Sequence, residues 1–240
     1  MKKSFLKTFL TVTFFAVAMA FLETTVVIYL RKLYYPEGFA FPLKTMSFFV
    51  GKIEFFRELA TLVMILTVSL LTGKTKIQKF AAFLFVFAVW DIFYYIFLYI
   101  TLTWPASLLT WDILFLIPVM WTGPVIAPVI NSLMMITLAG ILLKAEKSRL
   151  QKILLKRDWW LLIIGSIIII VSYTEDFIAF LLKDYVPAEL LNVLYSPEVI
   201  NKSLSYVPNS FDWLIFIIGI VFHFTAISDI IYRMKYCKRD

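Results

Sequence analysis

Glu54, Arg57 and Glu58 stand at i, i+3 and i+4, which on a helix places two carboxylates and a guanidinium on one face, with Thr61 a turn further along. Glu23 lies in a separate apolar run, Phe5 to Leu30, where an ionisable side chain costs about 2.5 to 3.5 kcal/mol on insertion scales unless it is paired or hydrated. Arg57 therefore has two readings. It either closes an intrahelical ion pair at a solvated helix end, or faces inward and neutralises Glu23 from the first helix. Asp91 sits in Val89-Trp90-Asp91-Ile92-Phe93-Tyr94-Tyr95, with Tyr95 one turn on. This aspartate either braces a neighbouring helix or carries protons, and His223, the single histidine, is its candidate partner. At about 1.5 Å per residue from the outer ends, Glu23 and Asn131 lie roughly 10 Å deep and Asp91 and His223 about 16 Å deep, near the midplane. Glu23, Arg57, Glu58, Asp91, Asn131 and His223 form the candidate intramembrane polar site. Asp229, near the inner end, has Arg233 four residues on and reads as structural.

A second group is aromatic and acidic. Thr103 to Gly123 reads TWPASLLTWDILFLIPVMWTG, and its Trp104, Trp111, Asp112 and Trp121 are the candidate outer cap. Pro105 is placed to start a helix. The stretch is long enough to cross a bilayer, but crossing would put the strongly basic connection at residues 144 to 157 outside. A re-entrant or interfacial helix, its backbone buried by protein, is expected there. Thr174 to Phe211, with apolar residues spaced between Asp184, Glu189 and Glu198, is expected to form one or two outward amphipathic helices on the membrane surface.

Several chemistries fall away on residue supply. One histidine provides neither bis-histidine haem ligation nor a three-histidine zinc site, and no HExxH, GxSxG, P-loop or GxGxxG occurs. No metal and no cofactor is expected. Trp90-Asp91 and Trp111-Asp112 invite comparison with intramembrane aspartyl proteases, but Asp112 lacks a glycine-rich frame and is expected outside the membrane. Met134-Met135 alone is no copper path, and Cys237, the one cysteine, is expected to be inert, with lipidation the alternative.

The elements that must position these side chains are set by composition. Of the 240 residues 62% are apolar and mean hydropathy is +0.88, against about 45 to 50% apolar in soluble domains. The fold class is therefore an all-α integral membrane protein, a single polytopic domain with spans at about 5–30, 52–73, 80–102, 124–143, 159–180 and 212–232. The first run also resembles a cleavable signal peptide ending at Ala18-Met-Ala20, but apolar residues continue past Ala20 and favour an uncleaved anchor. Most of the 23 Lys and Arg fall on the side of the termini, which places both termini in the cytoplasm of a cell (plasma or inner) membrane. Arg31, Lys32 and Lys44 run against that rule, for no reason visible in the sequence. All nine prolines gather on the opposite, outward side with most of the acidic residues, so function is expected there. The net charge of +7 belongs to this bracketing of apolar spans, and nucleic acid is not an expected partner.

Three functions compete. A small transporter or ion-coupled membrane protein would run its polar path from the acidic cap past Glu23, Arg57 and Asn131 to Asp91 and His223. A membrane-embedded enzyme acting on a lipid or lipid-linked substrate would use Glu58, Asp112 or Glu175-Asp176 as acid and base, with the three tryptophans as a wall at headgroup depth. A non-catalytic subunit would use the aromatic cap to dock another membrane protein or a second copy; in every case the lipid bilayer is the first partner.

Overall fold

The computed structural model describes residues 2–147, 153–186 and 196–236. Cys237 and residues 187–195, the middle of the expected amphipathic segment, lie outside the described residues. Seven helices and a two-stranded ribbon follow in order: α1 (Lys2–Tyr34), α2 (Phe48–Thr72), α3 (Lys76–Leu102), β1 (Trp111–Phe115), β2 (Trp121–Pro124), α4 (Ile126–Lys147), α5 (Lys156–Leu181), α6 (Pro197–Leu204) and α7 (Trp213–Tyr236). Six helices, all but α6, are long and apolar enough to cross a membrane, which makes this an all-α, multi-pass membrane protein. Helices α1 and α2 rest on α3 and touch each other little; α3 continues onto α4, α4 onto α7, and α7 onto α5. Leucine, isoleucine and phenylalanine side chains such as Phe14, Leu22, Leu71, Ile100 and Leu214 stay exposed on the outer faces, as lipid requires. Several Ser and Thr hydroxyls within the spans bond back to carbonyls a turn earlier, Thr24 to Ala20 at 2.8 Å and Ser69 to Ile65 at 2.6 Å, which meets their polarity inside the helix.

The helices outrun the expected spans into their charged flanks. Helix α2 begins at Phe48 after its Ser47 cap, ahead of the expected start at 52, and α1 runs on to Tyr34 and takes in Arg31 and Lys32. Pro124 closes β2 opposite Trp111 and is no part of the fourth span, which starts at Ile126.

Between α3 and α4 the expected re-entrant or interfacial helix is replaced by an antiparallel hairpin. Asp112 faces Gly123, Ile113 faces Thr122 and Phe115 faces Trp121, with a bulge between Ile113 and Phe115. Pro118 gives the reason. In a helix it would remove one hydrogen bond and press on the carbonyl of Leu114; in the turn between the strands it costs nothing. Nor does Pro105 start a helix: Thr103 ends α3 with φ 53°, and its amide bonds the Tyr99 carbonyl. The ribbon lies against α5, and the Phe211 ring from the segment before α7 packs over Gly123, where a Cβ would sit 3.2 Å from it. A hydrogen-bonded line from Thr122 through Tyr206 (3.0 Å) to Asp176 (2.6 Å), which also accepts the Asn209 amide, pins the segment after α6 onto hairpin and helix. Of the expected amphipathic segment, residues 174–181 continue α5 and α6 is a short separate helix, with Val199 buried and Glu198 at its first turn.

At the other end, Arg233 of α7 does not pair with Asp229. It binds Asp158 of α5 at 2.5 Å, and Asp229 pairs with Arg157 at 3.0 Å. Asp158 is fully buried and holds the Leu155 amide at the start of α5, so the fully desolvated carboxylate has the better claim on the guanidinium.

Candidate functional site

The hairpin end of α1, α2 and α3 encloses a cavity of about 170 Å³. Its floor and sides come from Glu23, Val27, Leu30 and Arg31 of α1, Glu54, Arg57 and Glu58 of α2, and Trp90, Asp91, Tyr94 and Tyr95 of α3. Residues 112 to 116 of β1 and its turn roof it, with Tyr35, Phe39, Leu43 and Met46 from the α1–α2 connection. Two helices share one neighbour there: α1 and α2 both pack on α3 and touch each other little.

Arg57 turns inward. It forms an ion pair with Glu23 of α1 and a second with Glu54, its Nε donating to Glu54 Oε2 at 2.9 Å. Thr61 donates to Glu23 Oε2 at 3.1 Å. Glu58, at the next position of the same helix, is buried and accepts the backbone amide of Leu116 at 2.9 Å, tying α2 to the hairpin. Asp91 accepts the Ser132 hydroxyl of α4 at 2.8 Å. Among the described residues, neither Glu58 nor Asp91 has a cation at ion-pair distance.

Asp112 sits in the roof, 2% exposed, and pairs with Arg31 of α1 at 3.1 Å. Arg31 in turn lies 3.7 Å below the Trp104 ring and 4.7 Å from the Phe39 ring. This gives a structural role to an arginine that the charge rule leaves unexplained: it is the buried counter-ion of Asp112. Burial pushes Asp112 up to about 6, against the pull of Arg31, the Ile113 amide and Tyr95. One oxygen of this carboxylate, Oδ2, has no hydrogen-bond partner, nor do Arg31 Nη1 and Trp90 Nε1.

Of the six intramembrane candidates, the cavity gathers Glu23, Arg57, Glu58 and Asp91. Asn131 and His223 are not on its wall. Asn131 is next to the residue that meets Asp91, and its own Oδ1 is buried without a partner. His223 and Asp91 do not pair. His223 Nε2 lies 3.2 Å from the Ser166 hydroxyl and 3.1 Å from the Leu162 carbonyl, in the seam where α5 and α7 approach through Gly165 and Gly219. A Cβ on Gly165 would fall 2.6 Å from the histidine ring, so this is a packed, satisfied histidine.

The outer cap also divides. Trp104 belongs with Arg31, while Trp121 stacks on Tyr173 at 6.0 Å and Trp111 meets Phe211 edge-on at 6.3 Å. Trp111 and Trp121 are joined through Phe211 and Tyr173 in one aromatic cluster, and Trp104 stands apart with Arg31. Asp112, placed in the cap by sequence, is on the cavity, which puts the aspartates of both Trp-Asp pairs on one site. They do not share a proton in the manner of an aspartic dyad, because Asp112 gives one oxygen to Arg31 and the other to no partner. Arg31, Tyr94 and Ser132 were not among the sequence candidates. The signal for Arg31 was its breach of the charge rule; Ser132 and Tyr94 carried none.

No family model matches this chain, and no curated protein and no solved structure matches it either.

Proposed function

We propose that the chain is a small transporter or ion-coupled protein of the cell membrane, with its termini in the cytoplasm and its polar site in the cavity of α1, α2, α3 and β1. The observation that carries this reading is Asp91: a carboxylate in a spanning helix, on the wall of a cavity, bound by a hydroxyl and by no described cation. A group in that position can take up and release a proton without breaking an ion pair, which Glu23 and Asp112 cannot do. The lipid-enzyme alternative has less support. Asp176 is engaged by Tyr206 and the Asn209 amide, and Trp104 stands with Arg31, apart from the cluster that holds Trp111 and Trp121.

The test is proton flux in sealed proteoliposomes with an internal pH dye, under an imposed gradient and a panel of small solutes. Wild type should dissipate the gradient with at least one solute. Asp91→Asn should melt within a few degrees of wild type and lose flux more than tenfold. A folded wild-type protein that moves neither protons nor solute ends the transport reading, and an active Asp91→Asn removes Asp91 from it.

A further inference from the structure

Five carboxylates and two guanidinium groups face the cavity. Arg57 answers Glu23 and Glu54, and Arg31 answers one oxygen of Asp112. Three acceptors are left over: Glu58 with the Leu116 amide, Asp91 with the Ser132 hydroxyl, and Asp112 Oδ2 with no partner although the residue is 2% exposed. Each calls for a hydrogen-bond donor. Uncompensated negative charge in a low-dielectric site calls for a cation.

The shape of the cluster chooses between kinds of cation. No three described His, Cys, Asp or Glu side chains converge on a point where a metal ion could be held, and the leftover acceptors are spread over α2, α3 and β1. The wall between them is aromatic, from Trp90, Tyr94 and Tyr95. An alkylammonium group carries three N–H donors and no acceptor, and aromatic faces attract cations and cover an apolar body. The volume of about 170 Å³ is close to that of a cavity of about 150 Å³ that holds benzene, so one ring fits.

We propose that this cavity binds an organic primary amine with a single flat apolar body, its ammonium group at Asp91 and Asp112 and its body against Trp90, Tyr94 and Tyr95. The substrate class rests on the transport reading above, but binding is measured without transport. The full chain, purified in mild detergent at neutral pH, is titrated with 2-phenylethylamine, with phenylacetate as the same body bearing the opposite charge, and with ethylbenzene as the neutral body.

The amine should raise the melting temperature saturably, while phenylacetate and ethylbenzene should not. Asp91→Asn and Asp112→Asn should each weaken amine binding at least tenfold, and Glu58→Gln, whose carboxylate is held by the Leu116 amide, should weaken it less. Val27→Trp, which fills the cavity without changing a charge, should abolish the response and stands in should a carboxylate variant not fold. No response to the amine, an equal response to phenylacetate or ethylbenzene, or an unchanged response in Val27→Trp would overturn the assignment. Amine binding without any flux would sink the transport reading and keep the site; proton flux without amine binding would do the reverse.

Discussion

Arg57 serves two carboxylates at once, Glu23 across the helix interface and Glu54 on its own helix, so the cluster should lose different amounts depending on where it is cut. Arg57→Gln takes the cation from both, leaving side chains only 10% and 14% exposed, with Glu58 adjacent. Breaking a buried pair from one side costs about 3 to 5 kcal/mol, and this substitution should fall in that range. Glu23→Gln is gentler. Arg57 keeps Glu54, the glutamine carbonyl still accepts from Thr61, and the cost should be about 1 to 2 kcal/mol, that of a lost charge-assisted bond. In the double variant only Glu54 remains uncompensated, so the combined loss should fall short of the sum by roughly 0.5 to 3 kcal/mol. Equilibrium unfolding of the four proteins in mixed micelles, with rising SDS fraction, reads all of these. Additive losses, or a Glu23→Gln variant as damaged as Arg57→Gln, would refute the shared-cation account.

Asp112 gives a pH signature whose sign runs opposite to the usual carboxylate. Its folded-state value is raised to about 6 from 3.8, so its stabilising contribution is fully present below the unfolded value and is lost as pH rises through 6. The stability of wild type minus that of Asp112→Asn should therefore fall by about 2 kcal/mol between pH 4.5 and 7.5, and a difference that is flat or rises with pH would refute it. Gly165→Ala should cost about 1 to 3 kcal/mol by driving its methyl into His223, while Gly140→Ala, with nothing within 4 Å, should not destabilise; equal effects would mean the α5–α7 seam is looser than described. For orientation, Gly38→Cys and Ser107→Cys, both exposed at the hairpin end, should react in intact cells with an impermeant thiol reagent, and native Cys237 should not; the reverse pattern would invert the proposed topology.

Hydropathy makes the six spans legible because lipid demands apolar residues on every face, and no tertiary information is needed to see that. The pairing of Glu23 with Arg57 is legible for a related reason: a glutamate in an apolar run must find a cation, and few are in reach. Helix ends are less so. Glu54, Arg57 and Glu58 look like a solvated helix end until α1 and the hairpin cover them. The hairpin escapes a reading based on length because the number of residues between Pro105 and Pro124 suits a helix; Pro118 in the middle decides otherwise, and its weight was missed. Depth along a helix also proved a poor guide to contact. Asp91 and His223 are at comparable depths but on helices that face different neighbours, and rotation about the helix axis is set by packing that a single sequence does not display.

Three buried ion pairs, two between helices and one between α1 and the hairpin, share an order along the chain. Glu23 precedes Arg57, Arg31 precedes Asp112, and Asp158 precedes Arg233. A ribosome therefore delivers each buried charge to the membrane before the residue that neutralises it, and for Arg31 and Asp158 a whole spanning helix or more intervenes. Helix α1 also arrives before α3, the surface against which it packs, and the first two helices have little hold on each other. Biogenesis must keep α1 close to water or to the insertion machinery until α3 and the hairpin are made, and nascent chains that stop short of the hairpin should be the ones that quality control removes.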